Sequence, residues 1–301
     1  MKSGIIPVYK PEGISSAAVV ARVKKALGAQ KAGHTGTLDP FATGLLLCAV
    51  NQGTRISGFF LNGQKRYTAR LHLGIETDTH DRTGKIESTA PESVMSALLP
   101  ETIQSVIQAF EGVQDQVPPS FSALKHKGQP LYKLARQGVK ITKTPRRIEI
   151  FNLQIHRICL PFVDIDVQCS AGTYIRSLAF DIGRTLGCGA HLAELCRTGS
   201  SQFTLDTAIE LDALEKMDRN EIESAMVSLS TCLAFMPKAR PAAAVIQKIK
   251  FGQKLTVADI ECSGIPAGTP FRVVDHDDRL WAVIHLNDTL QGYNYHCVFV
   301  H

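Results

Sequence analysis

Residues 162–186 hold the pattern that most limits the fold. Val163, Ile165, Val167 and Cys169 alternate with Asp164, Asp166 and Gln168, a period of two that fits a strand with one apolar and one polar face. A few residues later the period changes. Ile175, Leu178, Ala179, Ile182 and Leu186 fall on one side of a helix over 173–186. A strand at Arg147–Ile158 precedes this pair and is expected to lie beside 162–169. Other strands are expected at Gly4–Tyr9, Leu45–Val50 and Tyr67–Gly74. Helices are expected from Ser15 or Ser16 to Leu27, stopped by Gly28, from about Glu92 to Phe110, and over Leu131–Gln137. Strands and helices interleave without a regular βαβ repeat. The expected class is therefore α+β with a mixed sheet, not a Rossmann or barrel fold.

With 301 residues, the chain has room for a main domain and a small satellite. The acidic segment 206–236 reads as helical. After Pro237 and Pro241 the pattern shifts to short strand-like runs at Phe271–Val274, Trp281–His285 and His296–Val300. The boundary is placed near 236, giving domains 1–236 and 237–301. The apolar stretch 41–54 is interrupted by Gly44, Asn51 and Gly53, too short and too polar to span a bilayer. Pro7, Lys10, Pro11 and Glu12 break any signal-peptide pattern, so a cytoplasmic protein without a membrane partner is expected. The eight cysteines are spaced singly, with no Cys-x-x-Cys, which favours reduced thiols. Cys188 and His191 lack a second pair at ligand spacing, and no metal is expected.

Charge is unevenly spread. Residues 1–70 carry ten Lys/Arg against Glu12 and Asp39, and 122–160 carry nine against Glu149; the segment between them has two basic and eight acidic residues. If the fold joins the two basic blocks, one face suits a polyanion; solvated surfaces would explain the same pattern. Gly33, Gly36 and Gly44 punctuate the segment from Ala32 to Gly44, where backbone freedom or close approach is available. Asp39 lies there in a strongly basic stretch, which suits a carboxylate acting as nucleophile or base; Asp39-Pro40 fits a plain turn equally well. The glycines do not form a P-loop, because no Gly-x-x-x-x-Gly-Lys-[Ser/Thr] is present. Pro40 spoils the helix that a KH-type Gly-x-x-Gly needs.

Gly33-His34-Thr35-Gly36-Thr37-Leu38-Asp39-Pro40 followed by Ala42-Thr43-Gly44 resembles the signature of the TruB family of pseudouridine synthases. Four further motifs follow the same order as in that family. They are Lys10-Pro11-Glu12-Gly13 with Ser15-Ser16; Lys65-Arg66-Tyr67 with Leu73-Gly74 and the run Thr77 to Gly84; Pro118-Pro119 through Gly138; and Gly172-Thr173-Tyr174-Ile175-Arg176 with Gly187 to Leu192. Together they span roughly 200 residues, a specificity no single short motif has.

The resemblance implies isomerisation of uridine-55 to pseudouridine in the T-loop of tRNA, with no metal, nucleotide or flavin cofactor, by a monomer. It implies a thumb-like RNA-clamping insertion at about 118–150 and a PUA-like RNA-binding tail. Asp39 aligns with the catalytic aspartate and Arg176 with the arginine that holds and aims it through a bidentate contact. Tyr67 aligns with the tyrosine that stacks on uracil and helps proton transfer, and His34 with a histidine near the flipped nucleotide. Lys10 and Leu195 would support the pocket. Lys65, Arg66, Lys125, Lys127, Lys133 and Arg136 are the expected RNA contacts. Leu195-Cys196-Arg197-Thr198-Gly199 departs from the family, because Cys196 and Gly199 stand where basic residues are usual. A catalytically silent RNA-binding protein is the alternative class, against which Asp39, Tyr67 and Arg176 together count; a non-RNA enzyme lacks a supporting nucleotide or metal motif.

Overall fold

The computed structural model describes residues 2–122, 125–126, 129–130, 143–261 and 264–300, with 125, 126 and 130 described by backbone alone. The helix expected at Leu131–Gln137 lies outside the described residues, as do Lys127, Lys133 and Arg136 and the side chain of Lys125.

A mixed sheet forms the body. Its strands are β1 (Gly4–Lys10), β2 (Ala32–His34), β3 (Thr43–Val50), β4 (Lys65–Leu73), β7 (Gly112–Gln116), β8 (Arg146–Cys159), β9 (Phe162–Cys169) and β10 (Ala190–Ser200), while β5 (Ile75–Thr77) and β6 (Ile86–Thr89) make a separate hairpin. The order β1-β3-β10-β4-β9-β8-β7 runs across the sheet. All pairs in it are antiparallel except β3 with β10, a short parallel step where Cys196 faces Thr43 and Arg197 faces Gly44.

Burial follows the sequence periods. Val163, Ile165, Val167 and Cys169 of β9 are buried beside Ala69 and Leu71 of β4, under α4 (Pro100–Gln108) and α5 (Ile175–Thr185). Fully buried Leu178 and Ile182 of α5 each contribute about 1.5–3 kcal/mol by leaving water. The opposite face carries Arg70, Asp164 and Asp166. Helix α1 (Ser16–Leu27) is capped by Ser15, whose Oγ accepts from the Ala18 N–H, and ends at left-handed Gly28. Its Val19, Val23 and Leu27 cover one face of β1 and β3. The other face of those strands, with Ile5, Leu45 and Leu47, meets Phe60 of α2 (Ser57–Leu61) and Val283 and Phe299 of the tail. Covered on both sides, β3 reads as the continuous apolar run Leu45–Val50.

Several elements differ from expectation. The helix expected over Glu92–Phe110 is two pieces, α3 (Glu92–Ser96) and α4, because Pro100 opens a new helix instead of continuing the old one. Segment 206–236 is not one helix. It breaks into α6 (Leu211–Leu214), α7 (Arg219–Ala225) and α8 (Leu229–Cys232), and Ile209–Glu210 and Val227–Ser228 pair with β1. Asp218 and Glu221 form a reciprocal capping box that starts α7 afresh. Helix α5 begins at Ile175, two residues later than expected.

The tail forms its own five-stranded sheet, including β11 (Phe271–Val274), β12 (Leu280–Leu286) and β13 (Gly292–Val298). The third of these starts earlier than the expected His296. The sheet packs on α9 (Ala243–Lys250), an unexpected helix whose Val245, Ile246 and Ile249 are buried. Among the described residues no helix is long and apolar enough to cross a membrane.

Candidate active site

The loop 35–42 joins β2 to β3 and carries Asp39. Its backbone is fastened residue by residue. Ser16 Oγ, at the start of α1, donates to the Leu38 carbonyl at 2.9 Å and accepts from the Leu38 N–H at 2.8 Å. The Gly13 N–H donates to Pro40 O. Lys10 is fully buried, and its ammonium donates to the carbonyls of Pro11 (2.8 Å), Pro40 (3.1 Å) and Ala42 (2.6 Å). Burial pushes that amine down to about 8. Arg197 of β10, 2% exposed, grips the loop from the other side. Its Nε donates to Leu45 O at 2.7 Å, Nη2 to Gly36 O at 3.1 Å and Nη1 to Thr37 O at 3.4 Å.

From this fastened loop the Asp39 carboxylate projects with its side chain 34% exposed, against an Arg176 that is 3% exposed. Arg176 Nε donates to Asp39 Oδ2 at 2.8 Å and Nη2 to Oδ1 at 3.3 Å, a two-toothed contact that fixes the carboxylate plane. Two more N–H groups are used: Nη1 on Thr79 O and Nη2 on Phe121 O, each at 2.8 Å. Asp81, buried in the turn after β5, stands 3.6 Å from Arg176 Nε through Oδ2. Its Oδ1 accepts from Thr79 Oγ1, Thr83 Oγ1 and the Thr83 N–H. The guanidinium thus lies between two carboxylates, one anchored by its turn and one open to the cleft.

That cleft encloses about 450 Å³ and is bounded by Asp39, Tyr67, Tyr174, Arg176, Leu195 and Arg197. The sheet register assembles it. Tyr67 on β4 faces Arg197 on β10, and Arg197 in turn faces Gly44 at the start of β3. Tyr67 is 9% exposed, and burial raises its phenol above the ordinary value. Tyr174 precedes α5. The buried Gln116 side chain donates to Tyr174 O and accepts from its N–H, at 3.0 and 2.8 Å. Arg146 lies over the Tyr174 ring, 4.4 Å from its centroid, with a buried Nε that has no hydrogen-bond partner among the described residues.

Asp39, Arg176, Tyr67 and Leu195 therefore meet in one cleft, with Lys10 behind the loop. His34 ends β2 half-buried, outside the cleft lining. Its Nδ1 accepts from the Gly36 N–H at 3.4 Å, and burial holds the imidazole below its ordinary value. Lys65, an expected RNA contact, lines the same cleft. Buried at the cleft's edge, it donates to the carbonyls of Phe60 (3.0 Å) and Gly63 (2.6 Å), and burial pushes it down to about 8. Arg66, the next residue on the strand, is exposed. Asp81, Arg146, Tyr174 and Arg197 were not singled out from the sequence. Arg197 stands two residues beyond Leu195 on β10 and so shares its inward face, a relation visible only once that strand is known.

The Cys188 thiol donates to backbone carbonyls, and His191 Nδ1 donates to Ile75 O. Among the described residues the group with metal-ligand chemistry is Asp275, His276 and Asp277, on an exposed turn of the tail. Asp275 is already engaged by Trp281 Nε1 and by turn N–H groups.

A family model described as "TruB family pseudouridylate synthase (N terminal domain)" matches residues 24–175, and one described as "tRNA pseudouridylate synthase B C-terminal domain" matches 176–234. The tRNA pseudouridine synthase B of Geobacter sulfurreducens is 42% identical over 293 residues, covering 96% of this chain and 94% of its own. That of Bordetella avium is 49% identical over 214 residues, 71% and 87% of the two chains. Among solved structures, a Cbf5-Nop10-Gar1 complex superposes with a TM-score of 0.75 at 28% identity, covering 99% of this chain and 85% of that one. An H/ACA RNP bound to a substrate RNA containing 2'-deoxyuridine gives 0.74 at 26%, with the same coverage. A clamped carboxylate in a cleft walled by tyrosines, on a fold and sequence shared this widely, places the chain: it belongs to the TruB family of tRNA pseudouridine synthases, RNA-modifying isomerases.

Proposed function

We propose that the chain converts uridine-55 of the tRNA T-loop to pseudouridine, acting as a monomer through the cleft around Asp39. The reaction breaks the uracil N1–C1′ bond, turns the base and joins C5 to C1′, while the proton on C5 ends on N1. Nothing is oxidised or reduced. The observation that carries this reading is the partly exposed Asp39 carboxylate, held in two-toothed contact by a buried arginine that also donates to two backbone carbonyls. Such a carboxylate is aimed before substrate arrives, which suits attack at the ribose.

A uridine within a folded loop reaches Asp39 only after leaving its stack, at a cost of a few kcal/mol. A cleft of about 450 Å³ lies within the usual range of roughly 300–1,000 Å³ for small-molecule sites, so it can take an everted nucleotide. Stacking on Tyr67 would return ~1–3 kcal/mol. Exposed Arg66, beside Tyr67 on the strand, and the Arg146 guanidinium at the cleft supply positive charge for a phosphate. The relative whose structure contains RNA with 2'-deoxyuridine is a related fold carrying a related substrate. We assign catalysis to residues 1–236 and read 237–301 as a PUA-like unit that extends the RNA contact.

The test uses unmodified tRNA transcript carrying 5-tritiated uridine and no added cofactor. Wild type should release tritium, with the product mapped to position 55. Asp39→Asn should lose at least roughly 10³-fold in single-turnover rate while binding tRNA within about threefold of wild type. Release mapped elsewhere would overturn the position, and binding without release would favour the silent RNA-binding alternative.

A further inference from the structure

Helix α5 carries Arg176, Phe180 and Arg184 at intervals of four residues, so the three side chains lie along one stripe of the helix. All three meet the segment 76–81, on β5 and the turn after it. Arg176 Nη1 donates to Thr79 O at 2.8 Å. The Phe180 ring stacks flat on the His80 ring, with centroids 3.9 Å apart and planes 4° from parallel. Arg184 lies over Phe180, 4.5 Å from its centroid, and its Nε donates to Glu76 Oε1 at 3.2 Å.

The middle contact bears on the cleft. The Thr79 carbonyl belongs to the peptide plane joining Thr79 to His80, and the tilt of that plane follows the φ of His80. That φ is +60°, in the left-handed region. Phe180 anchors the ring there, while the His80 N–H donates to Thr77 O and His80 O accepts from the Leu192 N–H. Holding His80 therefore holds the carbonyl that receives Arg176 and, through Arg176, the plane of the Asp39 carboxylate. His80 and Phe180 stand outside the apolar core under the sheet and outside the cleft lining, so neither core packing nor substrate contact accounts for the stack. The imidazole also keeps a buried Nδ1 without a partner among the described residues. Burial and the Arg176 charge push it down to about 4, with Arg184 adding to them and Glu87 and Glu76 opposing, so a neutral ring faces these arginines.

We infer that His80, stacked on Phe180, is a positioning residue: it sets the Thr79 carbonyl that steers Arg176, and so aims Asp39. This rests on the pseudouridine synthase reading, in which Asp39 reacts at the ribose. Arg184 contributes least, because its side chain is 64% exposed and water screens its pair with Glu76.

The experiment measures single-turnover tritium release, tRNA affinity and hydrogen exchange of the Arg176 Nε–H in full-length protein labelled with nitrogen-15 at arginine, the signal being assigned by its loss in R176K. H80N keeps a residue that tolerates positive φ and removes the ring. It should slow release roughly tenfold, hold tRNA affinity within about twofold and speed exchange at Arg176 by roughly tenfold. F180L should act alike. F180Y keeps a ring against His80 and should stay within about twofold of wild type in rate and exchange. The double variant H80N/F180L should be no slower than about tenfold, because both changes remove one contact. Wild-type release by H80N, equal losses in F180Y and F180L, or a double variant slowed by the product of the two single effects would overturn the proposal. If F180L does not fold, H80N and F180Y still decide it through rate and exchange. If wild type releases no tritium, the function assigned to the cleft fails, whereas exchange at Arg176 still reads the hold of the stack on that arginine.

Discussion

Arg176 directs its guanidinium to four oxygens at once: two on Asp39 and the carbonyls of Thr79 and Phe121. Those partners come from three separate stretches of chain, so the residue both aims the carboxylate and ties the cleft walls together. Lysine carries the same charge on a point donor and cannot match that planar fork. R176K should therefore reach at most part of this set. Leaving buried carbonyls unpaired costs about 1–3 kcal/mol of stability, and an Asp39 freed to rotate costs rate. The expected outcome is roughly 10²-fold slower single-turnover tritium release with tRNA affinity held within about threefold. Near-wild-type release by R176K would show that charge alone suffices and that the fork geometry is incidental.

At the scale of elements, the parallel contact between β3 and β10 is the joint on which the cleft depends. Gly44 sits there at φ +102°, and a Cβ would lie 2.4 Å from Arg197 O and 2.7 Å from Arg197 N. Backbone atoms locked in a ladder cannot yield that space. G44A should destabilise the protein by roughly 3 kcal/mol, read as a lowered urea midpoint; a change below about 0.5 kcal/mol would mean the two strands separate without cost.

The same joint shows what the sequence reveals and what it hides. β9 was legible because its two faces differ and its period is unbroken. β10 was not recognised as a strand: its pairing with β4 shifts between Leu192 and Glu194 and again between Arg197 and Gly199, which breaks the alternation, and its Ala, Glu and Gly are weak strand formers. Asp39, Tyr67 and Arg176 were legible through ordered motifs, since composition and period left Asp39-Pro40 as a plain turn. The roles of Asp81 and Arg197 depend on partners brought together only by folding; Arg197 and Gly36 are 161 positions apart.

Across the whole molecule, buried titratable groups set opposing demands on stability above neutral pH. Among the described residues burial raises five thiols: Cys188, Cys48 and Cys232 (the last two up to about 12), and Cys169 and Cys297 (up to about 11). Unfolded, these thiols ionise near 9, so between 9 and 11 the native state holds more protons and loses stability as pH rises. Lys10 and Lys65 act in the other direction. Lowered to about 8 in the fold and ordinarily near 10.5, they leave the unfolded state with more protons between those values, so stability rises with pH there. From pH 8 to 9 the lysines lead while the unfolded thiols begin to ionise and offset them, so stability should be flat or rise slightly. Above 9 the four thiols raised to about 11 or 12 outweigh two lysines even without Cys188, a net difference of about two protons and a fall of roughly 2.7 kcal/mol per pH unit. Urea unfolding under reducing conditions from pH 7 to 10.5 should therefore show a maximum near pH 9 followed by a decline. Cys48→Ala, which removes one titrating thiol, should make that decline shallower. Stability that keeps rising to pH 10.5 would mean that Lys10 and Lys65 dominate, and that the thiols meet water more readily than their burial implies.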